Sequence, residues 1–87
     1  MSPWAALRRR IDHYATTAEK LSGAERGAAR VDGLRELRET IDAEIDREVI
    51  AARDQGATWE RIGPTKQAGM QRYNAAMTRK AKRDGEH

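Results

Sequence analysis

A chain of 87 residues carrying 17 basic and 14 acidic side chains, net charge +3, is one small domain at most. A multidomain enzyme is excluded, because a chain of this length buries only about 60–65% of the surface its unfolded form exposes. Large aliphatic residues are few, four Leu, five Ile and two Val with no Phe, yet the nearly cancelling charges exclude a self-repelling disordered chain, and fifteen alanines point to close-packed helices. The first predicted helix opens with Ser2 as cap and Pro3 in its first turn. Along it Trp4, Leu7, Ile11, Tyr14, Ala18 and Leu21 recur at alternating spacings of 3 and 4, a heptad seam for a partner helix or a dimer. With so little bulk for a core, dimerisation is expected to supply part of the burial.

The seam breaks at Ser22-Gly23, and Ser22 with Glu25 fits a capping box for a second helix. Val31, Leu34, Leu37, Ile41, Ile45, Val49 and Ala52 carry that helix to about Gln55, with Gly27 and Gly33 as its weak points and Gly56 as its stop. Thr58 then caps a single turn over residues 59–62, held down by Trp59 and Ile62 and ended by Pro64. Thr65 caps the last helix, whose packing stripe is predicted to be Met70, Tyr73 and Met77. The expected architecture is all-α: an N-terminal antiparallel helical hairpin over residues 1–55 for packing or dimerisation, a compact helix-turn-helix half over 56–84 with a basic last helix, and a tail at 85–87.

Chemistry-bearing residues are scarce. There is no cysteine, and His13 is the only histidine away from the terminus, so neither a metal-ligand cluster nor a nucleophilic constellation can assemble. No enzymatic activity, cofactor or metal is expected. Asp42, Glu44, Asp46 and Glu48 scatter around their helix and are expected to pair with Arg38 and Arg47. The longest apolar run, residues 49–52, is far short of the roughly 20 residues that span a bilayer, and a cytoplasmic, nucleoid-associated protein is expected.

Charge is segregated along the chain. Residues 1–18 carry +2, residues 19–54 carry −3 and residues 55–87 carry +4. Between Arg61 and Arg83 lie seven basic residues and no acid, the electrostatic footprint of a polyanion binder.

Beside that run stands Ala52-Arg53-Asp54-Gln55-Gly56-Ala57-Thr58-Trp59-Glu60-Arg61-Ile62-Gly63, followed by Thr65-Lys66-Gln67-Ala68 and Gln71-Arg72-Tyr73. This stretch, residues 52–73, resembles the helix-turn-helix of small DNA-binding proteins from GC-rich actinobacteria and their phages. In them a Ser/Thr-Trp-x-x-Ile-Gly helix precedes a recognition helix reading Ser-Arg-Gln-Ala. Only Pro64 and Thr65 separate Gly63 from Lys66 here, about one helical turn less than in the family. The resemblance implies that the last helix is the recognition helix.

The side chains themselves suit that role. Lys66, Gln67 and Gln71 lie near the helix N-terminus and are the candidates for base contacts, Lys for guanine and Gln for adenine. Thr65, Arg72, Arg79, Lys80, Lys82 and Arg83 are the candidates for phosphate contacts. The expected function is a small cofactor-free regulator that binds double-stranded DNA as a homodimer, two copies reading two half-sites. Two other classes fit the same residues: a helical adaptor or inhibitor, of phage origin among other sources, that binds a protein through the N-terminal helix, and a coating protein that grips DNA of any sequence.

Overall fold

A computed structural model describes residues 2–85 of the chain. The described residues are all-α, with four helices and no strand. In chain order they are α1 (Pro3–Glu19), α2 (Gly23–Asp54), α3 (Trp59–Ile62) and α4 (Lys66–Gly85). The chain divides into two compact units, Met1–Asp42 and Ala43–His87, with the boundary inside α2.

The first unit holds α1 and the N-terminal part of α2. Ser2 caps α1 by accepting the Trp4 N–H at 3.2 Å, with Pro3 in the first turn. The chain reverses through Gly23, whose φ of +60° is a conformation that glycine adopts without steric cost. The opening of α2 is built on backbone: the Ser22 carbonyl accepts the Arg26 N–H at 3.4 Å, and Arg26 Nε donates to the Leu21 carbonyl at 3.0 Å. Glu19 then takes a fork from Arg30, Nε at 2.8 Å and Nη2 at 2.9 Å, while farther back Tyr14 donates its hydroxyl to Glu36 at 2.5 Å. Residues descending along α1 thus meet residues ascending along α2, the order of an antiparallel pair.

The helix runs unbroken through Gly27 and Gly33, both predicted as weak points. At Gly33 the glycine has a packing role, since a Cβ there would stand 3.2 Å from the Tyr14 Cβ. The seam predicted along α1 is divided by its contacts: Ala18 is buried and Leu7 and Tyr14 half-buried, while Trp4, Ile11 and Leu21 stay exposed.

In the second unit the end of α2 is a Schellman turn. Gly56, at φ +92°, donates its N–H to the Arg53 carbonyl at 3.0 Å, and Ala57 donates to Ala52 at 2.9 Å. Arg53 ties this turn to α3, with Nη1 donating to the Ala57 carbonyl at 2.8 Å and the guanidinium 3.7 Å from the centroid of the Trp59 ring. Thr58 stands at the N-cap of α3 in extended conformation, but its side chain makes no capping bond, contrary to expectation. Thr65 does cap α4, accepting the Ala68 N–H at 3.1 Å.

The buried stripe of α4 differs from the predicted one. Met70 and Met77 are 41% and 39% exposed, whereas Gly69 and Ala76 are buried and Tyr73 half-buried. The reason is proximity. A Cβ at Gly69 would fall on the Trp59 carbonyl oxygen, 2.7 Å from its carbon, and one at Gly63 would lie 2.6 Å from the Gly69 nitrogen. With α3 this close, no side chain fits at position 69, so glycine faces inward there and the adjacent Met70 turns outward. Tyr73 closes the contact edge-on to Trp59, ring centroids 5.6 Å apart.

Candidate nucleic-acid interface

Three residues, Gly63, Pro64 and Thr65, connect α3 to α4. The first turn of α4 is open: Thr65, Lys66, Gln67, Met70 and Gln71 are all exposed. At 100° per residue, Gln67, Met70, Asn74 and Thr78 share one face of α4, with Lys66 and Gln71 at its edges. The face opposite the buried Gly69, Tyr73 and Ala76 is therefore polar and uncharged around one methionine. Asn74 and Met70 were not among the residues predicted for base contact. Asn74 could have been found from its spacing of seven residues to Gln67, while Met70 was misplaced because hydrophobicity alone does not tell an inward methionine from an outward one.

At the same 100° per residue, Lys66 and Lys82 flank that face, whereas Arg72 and Lys80 point toward the opposite side of α4. Arg72, Lys80 and Lys82 are exposed. Arg79 is directed elsewhere: its guanidinium forms a two-pronged pair with Asp46, Nε to Oδ2 and Nη2 to Oδ1, each at 2.6 Å. Arg83 Nη1 approaches the same carboxylate at 4.0 Å. Asp46 is buried, and its bonds to Arg79, aided by the charges of Arg79 and Arg83, hold its carboxyl below the usual carboxylate range against the cost of desolvation. Two residues predicted as phosphate contacts thus converge on one acid of α2. The expected pairing of the acids also changes: Glu44 does pair with Arg47, but Asp46 reaches 33 residues ahead, to Arg79.

A shallow groove beside this ion pair is lined by Ile45 and Val49 of α2 and by Ala68, Gln71, Arg72 and Ala75 of α4. Gln71 therefore stands at a junction, one edge toward the groove and the other toward the open face. Among the described residues no three histidine or acidic side chains converge as metal ligands. No helix of the described residues is long and apolar enough to cross a membrane. Comparison of the chain with family models, with curated proteins and with solved structures found no match.

Proposed function

We propose that the chain binds duplex DNA by placing the N-terminal half of α4 in the major groove, and that it acts there as a cofactor-free regulator. The observation that carries this reading is the division of labour around α4: an outward face of Gln67, Met70, Gln71 and Asn74, flanked by exposed Lys66 and Lys82. Gln and Asn match the donor and acceptor pair of adenine, Met offers apolar contact to a thymine methyl, and the basic flanks meet phosphates. The positive end of the α4 dipole, opened by the Thr65 cap, favours the backbone of the nucleic acid at the same end. The resemblance of residues 52–73 to helix-turn-helix proteins supports the same assignment. Arg79 and Arg83 are left out of the phosphate set, because their carboxylate partner would have to be given up first.

The test is a binding titration on the best-bound duplex and on a scrambled duplex, at several salt concentrations. Gln67→Ala and Gln71→Ala are each expected to cost about 1–3 kcal/mol on the preferred duplex and almost nothing on the scrambled one. Neutralising Lys66 and Lys82 together should weaken both duplexes and lower the log–log salt slope by roughly 2. Equal weakening of both duplexes by the glutamine variants would convert the assignment to a coating protein. Absence of binding at low salt would overturn it in favour of a protein-binding adaptor.

A further inference from the structure

The Met1–Asp42 unit has almost no interior of its own. Among its described residues the buried apolar side chain is Ala18, while Trp4 and Leu34 are 68% and 65% exposed and Ile11, Val31 and Ile41 are between 42% and 48% exposed. These residues are not scattered. Ile11, Ala15, Leu34 and Leu37 line one open groove of about 280 Å³ between α1 and α2, and Val31, Leu34, Arg38 and Ile41 fall at a and d spacing along the outer side of α2. Arg35 and Asp42 flank that stripe one heptad apart, both exposed. Among the described residues, neither they nor Arg38 has an ion-pair partner within the chain.

We infer that this face is covered by a second copy of the chain, with the two α2 helices antiparallel about a two-fold axis between residues 39 and 40. The pattern is self-complementary in that arrangement and not in a parallel one. In an antiparallel pair an a position faces a d position, so Arg38 lays its aliphatic stem on the partner's Ile41 and Ile41 meets the partner's Arg38. Arg35 and Asp42 both occupy the e position, and in an antiparallel pair e faces e, so Arg35 meets the partner's Asp42. The same contact recurs across the axis, as an isologous interface requires. A parallel in-register pair sets e against g instead, which would bring Arg35 against the partner's Arg30 and Asp42 against the partner's Leu37. The face is broad and apolar, with Leu34 65% exposed and Ile11, Val31 and Ile41 between 42% and 48% exposed, the character of an interface core. Ile11, which lines the groove beside Leu34, brings α1 into the same contact, giving a four-helix assembly. Dimerisation through this face is independent of DNA binding by α4.

Sedimentation velocity on the full chain across a concentration series tests it. The wild type is expected to sediment as a dimer at micromolar concentration, and Leu34→Asp as a monomer. Asp42→Arg and Arg35→Asp, both at exposed positions that leave helix content by circular dichroism unchanged, are each expected to raise the dissociation constant at least about tenfold. Mixing those two variants should restore a heterodimer of higher affinity than either variant alone, since the arginine introduced in one then faces the aspartate introduced in the other. A wild-type monomer at about 100 μM, dimers whose affinity ignores both charge variants, or single variants that stay weak when mixed would each overturn the proposal.

Discussion

Gly69→Ala is expected to lower the stability of the Ala43–His87 unit by about 2–3 kcal/mol, even after the roughly 1 kcal/mol that alanine gains over glycine inside a helix. The added methyl would land on the Trp59 carbonyl, with that residue's carbonyl carbon at 2.7 Å and its Cα at 3.0 Å. These are backbone atoms of α3, so no rotamer change relieves the overlap. α3 must move away from α4, and the edge-on contact between Trp59 and Tyr73 opens with it. Gly27→Ala is the matched control. Nothing lies within 4 Å of a Cβ there, so the same chemical change in the interior of α2 should stabilise by about 0.5–1 kcal/mol. Urea unfolding followed by circular dichroism reads both, and equal effects at the two glycines would refute the close crossing.

Asp46→Asn is expected to cost about 1–2 kcal/mol at neutral pH, toward the lower end for a buried acid because Arg79 is 56% exposed and finds water when released. The pH dependence carries a definite sign. The folded carboxyl titrates below the unfolded one, so its stabilisation is whole above the ordinary carboxylate value of about 4 and is lost as pH falls through the lower folded value. The stability difference between wild type and Asp46→Asn should therefore be flat from neutral pH down to about pH 4 and shrink below it. A difference that persists unchanged at pH 2 would remove the ionised pair as its cause.

Local features of the sequence are enough to place the helices. Ser2-Pro3, Gly23, Gly56, Pro64 and the Thr65 cap act through their own backbone and neighbours, so each boundary is legible within a few residues. The same holds for the openness of Lys66, Gln67 and Gln71 at the start of α4. Where periodicity has to choose a face, it chooses by hydrophobicity and puts Met70 and Met77 inward. At position 69 the buried residue is a glycine because α3 approaches closer than a methionine allows.

Residue pattern alone settles the helical class, the element boundaries and the one-signed charge of the run from Arg61 to Arg83. Packing settles the rest. It divides the α1 seam into Ala18, Leu7 and Tyr14 packed within the chain and Trp4, Ile11 and Leu21 left exposed, and it ties Arg79 to an acid 33 positions earlier. Caps and turns are satisfied by atoms a few bonds away. Which face of a helix is buried, and which carboxylate a guanidinium finds, depends on how closely another helix approaches, and no local pattern records that distance.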